Sequence, residues 1–596
     1  MKIRTYILSV ALGSLALIGG CDSLNLDPRS ELSSSAVWSD AALTEAYLNQ
    51  IYSATGYGYG NPLPGAGIVD ETIYTHSSDT DANLASTLTP ENRGQWNRTN
   101  NPNNSFEHLS WQNVYSSIRD LNVFIENVDA GTVLPDAEKT AFLGEAYFLR
   151  AFFYHNLLKM YGGVPIIETV FELGGDLEQY QVARNTFAET VDFIVADLDR
   201  AATRLSLAGR RTGAASQGAA LALKSRVLLF AASDLYNQNP SGSELTGYTS
   251  GDQMQRWQAA KDAAQAVMDL GIYSLESAPT PDAYHDIILR GGGSELIWAR
   301  YFSGTGTDTH NHGLWVSPNG YNSWSGDTPL QNHVDAYEMA DGSEFSWDDP
   351  ALAANPYANR DPRFEANILH NGKTWRPRTG GATSVDPVGV IQTGWYEVSG
   401  QSNLRPGLDT REGPIQNWNG TRSGYNMAKF LDRNLVPDAQ QHFNPWIHIR
   451  YAEILLNFAE ASEELGQSGD ALTALNEVRS RVGMPDVPAG GSGDGRTVLD
   501  RIRQERQIEL AFEGHRYFDV RRWMTAPEVY TGTNNGIRIT GRLDPNGEVL
   551  VTEKYRYEYQ VVPLQNKSWD DRNYFVPIDR AEIDRNPALI QNPGYN

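Results

Sequence analysis

Ile449-Arg450-Tyr451-Ala452-Glu453-Ile454-Leu455-Leu456, continued by Ala459-Glu460-Ala461, decides how the chain folds. Ile447, Tyr451, Ile454, Leu455, Phe458, Ala461 and Leu465 recur at i, i+3, i+4 spacing, which predicts one amphipathic helix. Gly466 ends it. Asp470 can cap a following helix that carries Leu472, Leu475, Val478 and Val482. A turn of about four residues between two such helices makes an αα-hairpin. Thr497, with Asp500 three residues on, opens a third helix that runs to Phe512 and closes at Gly514. From about Gly532 to Val562 the pattern becomes strand-like (Ile537, Ile539, Val549, Val551), with a turn at Asp544-Pro545-Asn546-Gly547.

The same helical rhythm fills the N-terminal half. Amphipathic stretches span Ala41 to Ile51, Trp111 to Val128, Asn185 to Leu205 and Gln253 to Leu270, the last with Gly271 as its C-cap. Glu138 to Tyr161 is apolar nearly all round, so it is a helix buried on several sides, stopped by Gly162-Gly163 and Pro165. Ser216 to Tyr236 is Ala-rich, which lets neighbouring helices approach closely. Repeated helix–turn–helix pairs with small residues at their contacts predict a mainly α fold. It is a tetratricopeptide-like helix-pair scaffold with degenerate repeats and a few short strands.

Between the two helical regions, about 276–445, Gly, Pro, Asn and Asp rise and helical periodicity fades. Seven of the fourteen Trp residues fall there, at 298, 315, 324, 347, 375, 395 and 418. This loop-rich subdomain is either a packed irregular layer or a binding surface. The divisions read as 1–20, 21–36 (a polar spacer), 37–275, 276–445 and 446–596.

The 596 residues carry 48 basic and 73 acidic side chains, a net charge of −25, so a phosphate backbone is repelled and nucleic acid is excluded as a partner. With 40% hydrophobic residues the chain can bury a large core. One Cys rules out an intrachain disulfide and a Cys-cluster metal site. That Cys has its own meaning. Lys2 and Arg4 precede an apolar run from Ile7 to Ile18, too short for the roughly 20 residues of a membrane span. Leu17-Ile18-Gly19-Gly20-Cys21 follows, a lipobox-like sequence that marks Cys21 for lipidation and the chain as a lipoprotein. Several acyl chains on one residue suffice for stable anchoring.

Four segments together resemble the SusD/RagB family. They are Phe148-Leu149-Arg150-Ala151 through Tyr161-Gly162-Gly163-Val164-Pro165; the Ile449–Leu456 run with Leu475-Asn476-Glu477-Val478-Arg479 and Arg481-Val482-Gly483; Glu509-Leu510-Ala511-Phe512-Glu513-Gly514-His515-Arg516 with Asp519-Val520-Arg521-Arg522-Trp523; and Val576-Pro577-Ile578 through Gln591-Asn592-Pro593-Gly594-Tyr595. Asp361-Pro362-Arg363-Phe364 and Gly424-Tyr425 also match. The resemblance spans essentially the whole mature chain. It implies a non-enzymatic outer-membrane lipoprotein on the cell surface, which caps a SusC-like TonB-dependent transporter barrel and passes oligosaccharide, or in some branches peptide, inward as a hinged lid. It implies no cofactor, leaves calcium open, and gives no transferable ligand motif.

A glycan site needs aromatic faces for sugar C–H surfaces and side chains that bond hydroxyls in pairs. Two polar stretches without core periodicity combine these. The first, Glu71 to Asn104, offers Tyr74, Asp79, Trp96, Asn97 and Arg98; the second, Tyr301 to Asp327, offers Trp315, Tyr321 and Trp324. At least two of these rings are expected to open to solvent. The cluster Glu509, Glu513, Arg516, Arg521 and Arg522 reads instead as a capping and salt-bridge network. His310-x-His312 lacks a third ligand, and Asp79-Thr80-Asp81 lacks the Gly and distal Glu of a calcium loop, so no metal site is assigned. A hidden carboxylate pair would be needed for a glycoside hydrolase. No nucleophile elbow or nucleotide fingerprint is present.

Overall fold

The computed structural model describes residues 34–595 except 57, 61–62, 77–79, 98–106, 132, 172–173, 175, 305–307, 437–441 and 491–493. Cys21 therefore lies outside the described residues. Helix accounts for 44% and strand for 12%, so the chain is mainly α-helical. The scaffold helices are α1 (Ala41–Ser53), α2 (Trp111–Asp129), α3 (Asp136–Tyr161), α4 (Phe187–Ala202), α5 (Gln217–Ala232), α6 (Gln253–Met268), α7 (Tyr451–Glu464), α8 (Ser468–Ser480), α9 (Val498–Glu509) and α10 (Arg516–Arg522). From α2 to α6 each helix packs on the next. Then α6 packs directly on α7, and α7 on α8 and α9. Nearest-neighbour stacking of this kind is the tetratricopeptide-like logic read from the sequence. The irregular residues 269–445 are thus looped out between two helices that touch.

Local chemistry explains most boundaries. Thr186 and Glu189 form a capping box at α4, and Thr497 and Asp500 form another at α9. At the end of α3, Gly162 sits at φ +81°, and a Cβ there would lie 2.2 Å from the Leu245 carbonyl oxygen. Only glycine lets the 243–246 turn close on the helix end. Four expectations need correction. The predicted helix from Ser216 to Tyr236 breaks at Ser233, whose extended backbone (ψ 158°) starts a separate turn. Asp470 lies inside the first turn of α8, where its charge favours the helix dipole, and Gln467 is the cap. Helix α9 stops at Glu509, and Phe512 takes a left-handed φ of +64°, its N–H donating to Glu71 at 2.9 Å. Trp446–Arg450 is a strand, not the start of the helix; Ile447 and Ile449 suit a pleated surface.

The strands are β1 (Thr72–Tyr74), β2 (Leu296–Arg300), β3 (Asp327–Pro329), β4 (Trp395–Tyr396), β5 (Trp446–Arg450), β6 (Thr533–Leu550) and β7 (Glu553–Asn566), besides two-residue bridging pieces. β2 pairs antiparallel with β5. β6 and β7 form a long hairpin, and β4 lies parallel to β6. The predicted turn at Asp544–Gly547 is a bulge instead. The register jumps from Val549 opposite Lys554 to Leu543 opposite Tyr555, so 544–548 loop out, with Asp544 accepting from the Asn546 N–H at 2.9 Å. The chain reverses at 551–552, where Val551 has φ +57°.

A buried ionic lattice joins the irregular layer to the scaffold. Arg450 reaches Glu509 at 2.5 Å, Glu513 at 2.8 Å and Glu295 at 2.9 Å. Arg363 of the irregular layer reaches Asp361 at 2.7 Å and Glu509 at 3.0 Å, and it also pairs with Glu505. Arg481 pairs with Glu509 as well, and Lys429 with Glu513 at 2.7 Å. Beside it, Arg522 bonds Glu460 and Asp519, and Arg516 bonds Asp70. Arg521 departs from the pattern: it stacks on Tyr517 at 3.5 Å and donates to the Asn573 carbonyl. The charged motif around the end of α9 is therefore structural. Burial favours neutral carboxyls, but Arg481, Arg450 and Arg363 outweigh it and hold Glu509 well below the ordinary range. Arg450 and Lys429 do the same for Glu513, to about 2.

Candidate functional site

The site begins at the pairing of β1 with β3, with Tyr74 opposite Asp327. The buried Asp327 carboxylate accepts from the Leu63 N–H at 2.9 Å, which fixes this corner. Beyond the strands, the Thr75 N–H donates to Gly326 O at 2.8 Å, so residue 76 runs beside residues 324–326. The loop 312–326 folds on itself through Trp324 N–H to Leu314 O at 2.9 Å and Gly326 N–H to Trp315 O at 2.6 Å. These bonds set the Trp315 and Trp324 rings 5.7 Å apart at 39°. The His76 ring stands edge-on to Trp324 at 6.4 Å. Both Trp residues and His76 are half-buried. Rings held this way lose little freedom when a ligand docks on their open faces.

A second segment, residues 410–422, is strapped to this loop. The wholly buried Asn319 donates to Thr410 O and Ile415 O, both at 2.9 Å. A parallel bridge between Thr410 and Thr421 closes the strap. Trp418 sits at its tip, 63% exposed. Arg411 and Arg422 follow the two bridging threonines and are exposed. Burial pushes the His76 imidazole below its ordinary range and Arg411 adds to this, against the opposing Trp324 backbone. The ring is therefore neutral at physiological pH. Next to it opens a cleft of about 460 Å³ lined by His76, Asp81, Leu84, Arg422, Gln565 and Asn566. Apolar faces beside amide, carboxylate and guanidinium groups form a surface able to hold a polyhydroxylated chain.

Among the residues read from the sequence, Trp315 and Trp324 come together and keep partly open faces. Trp96, Tyr321 and Tyr74 do not, which corrects the expectation of open rings there. Trp96 is 4% exposed and packs edge-on to Tyr517 at 5.2 Å. Tyr321 is fully buried, donating from its hydroxyl to Arg376 O at 2.7 Å, with Arg378 over its ring at 4.4 Å. Tyr74 is buried within β1. Asp79, Arg98 and the Asn97 side chain lie outside what the structure describes. Arg411 and Arg422 are not among the residues read from the sequence, and Trp418 is there only as one of the seven Trp of the loop-rich region; the signal is Asn417-Trp418-Asn419-Gly420, an aromatic set among turn formers. His310 and His312 are buried beside Tyr59, and among the described residues no group of three His, Cys, Asp or Glu can hold a metal ion.

Residues 294–595, just over half of the chain, match the profile of the SusD family. The chain belongs to the SusD family. Residues 24–229 match a second profile, described as starch-binding associating with outer membrane. SusD-like protein P38 of Formosa agariphila is 25% identical over 550 residues, covering 89% of this chain and 93% of its own. SusD-like protein P2 of the same organism is 24% identical over 509 residues, covering 84% and 83%. A solved SusD-like protein from Bacteroides fragilis superposes with a TM-score of 0.72 at 28% identity, over 94% of this chain and 99% of that one. A SusD-like carbohydrate binding protein from the same species shares the fold, with a TM-score of 0.69 at 22% identity and coverage of 93% and 100%. In this SusD-family chain the helical repeats are the scaffold, and the ring pair belongs to the layer looped out between α6 and α7. No helix of the described residues is long and apolar enough to cross a membrane.

Proposed function

We propose that this SusD-family chain captures oligosaccharides at the cell surface and delivers them to a SusC-like TonB-dependent transporter in the outer membrane, without cleaving them. It is held there by lipid on Cys21. The observation that carries the reading is the Trp315–Trp324 pair, two fixed rings 5.7 Å apart, with Trp324 meeting His76 of the cleft wall. Sugar rings present apolar C–H faces with hydroxyls at their rims, and the flanking Asn566, Gln565 and Asp81 offer donors and acceptors for those hydroxyls. Descent from a family that includes a carbohydrate-binding relative supports the same cargo.

Affinity electrophoresis against a panel of polysaccharides tests it. The expected result is retardation by one glycan class with no reducing sugar released. Trp324→Ala removes one of the two central rings, and a central aromatic anchor is worth about 2 kcal/mol or more, so the affinity measured by calorimetry drops roughly thirtyfold. Trp96→Ala, a change in the core, is expected to lower thermal stability instead. No retardation by any glycan, or parent-like affinity in Trp324→Ala, refutes the assignment.

A further inference from the structure

We propose that the cargo is an acidic glycan, and that Arg411 and Arg422 clamp its carboxylate or sulfate groups beside the Trp315–Trp324 pair. This inference rests on the glycan reading above and narrows it. The parallel bridge between Thr410 and Thr421 puts the next residue of each strand, Arg411 and Arg422, side by side. Their closeness is built in. Gly420 lets the two backbones meet, since a Cβ there would lie 2.4 Å from the Arg411 nitrogen. Asn319, wholly buried, spends both amide protons on holding the strap in place.

The two cations are set against each other with little to relieve them. Among the described residues neither forms an ion pair, and the acidic group that acts on Arg422 is Asp81, across the cleft. Arg422 is pushed below the ordinary guanidinium range by partial burial and by Arg411 beside it. Arg363, Arg450 and Arg522, by contrast, each meet a carboxylate within the fold. A chain of net charge −25 that sets two arginines together without an ion pair among the described residues, Arg422 lining the cleft and Arg411 close enough to act on His76, has left a position for an anion from outside. Guanidinium forks match carboxylate and sulfate oxygens alike, so both anion types share this chemistry.

Calorimetry with the purified chain separates the possibilities, using an oligogalacturonate (carboxylate), a carrageenan oligosaccharide (sulfate) and a maltooligosaccharide (neutral) at low and high salt. One of the two acidic ligands is expected to bind at least tenfold tighter than the neutral one, with affinity falling as salt rises. The double variant Arg411→Gln/Arg422→Gln is expected to lose roughly tenfold or more for that ligand and much less for the neutral one, so that the preference for the acidic ligand disappears. Both arginines are exposed, so the variant is expected to keep the fold, with circular dichroism as the check. A neutral ligand preferred by the parent, or a double variant that binds acidic ligands as the parent does, overturns the proposal. In that case Trp324→Ala still weakens binding and the glycan reading stands. If the parent binds none of these or any other glycan, both readings fall together.

Discussion

Glu509→Ala is expected to lower the unfolding free energy by about 3–5 kcal/mol, measured by urea denaturation followed by far-ultraviolet circular dichroism. Glu509 is wholly buried, and three guanidinium groups converge on it from Arg363, Arg450 and Arg481. Removing the carboxylate leaves these cations in a low-dielectric interior with too few counter-charges, and desolvation that was offset becomes a net penalty. Glu509→Gln, which keeps the shape and loses the charge, separates electrostatics from cavity formation; most of the loss should remain. A variant within 1 kcal/mol of the parent would mean that the lattice contributes packing only. The pH dependence follows from the same groups. Glu509 and Glu513 are held below the ordinary carboxylate range, so the unfolded chain binds protons first on acidification. Their share of stability is complete above that range. It declines as pH falls toward about 2, the position of Glu513 in the fold.

Arg378→Ala is expected to cost a similar 3–5 kcal/mol, but locally, in the irregular layer. Arg378 is buried between Asp386 at 2.9 Å and Asp409 at 2.7 Å, and its plane covers the Tyr321 ring. Asp409 immediately precedes Thr410, where the strap with Arg411, Trp418 and Arg422 begins. Without the cation, two buried carboxylates repel across the space it filled. The strap and the 312–326 loop should therefore gain amide exchange, while α2 to α6 exchange as in the parent. Glycan affinity should fall with them, although Arg378 itself is buried beneath the ring pair's loop. Uniform exchange throughout the molecule would show that Arg378 supports the whole fold and not this layer.

The helices were legible because their signals are local. Period, caps and terminating glycines reside within a few residues, as in Thr497 with Asp500 or Gly162 after Tyr161. Strand β5 was not, since its five residues continue the apolar rhythm of α7 and its partner β2 lies 154 positions away in the register of Leu296 with Arg450. The site was half legible for the same reason. Trp96 and Trp324 look alike in sequence, each an aromatic among polar neighbours. What buries Trp96 is Tyr517, far along the chain, and what spares Trp324 is a loop that closes on itself. The strap was missed because Arg411 and Arg422 gain meaning only once the bridge at Thr410 and Thr421 sets them together.

The strand pair β2–β5 has a consequence for how such a protein diversifies. It zips the start of the looped-out layer to its end, where the chain re-enters α7, while α6 and α7 touch each other directly. The chain thus leaves the helical stack for the irregular layer and returns to it at one doorway. Residues at its base, such as Arg363 and Glu338, are bound into the scaffold's charges and have little freedom to drift. Residues farther out, the 312–326 loop and the 410–422 strap, are held mainly to each other, through Asn319 and the Thr410–Thr421 bridge. On the glycan reading proposed above, that outer portion is where substitutions alter what is bound while the frame stays as it is.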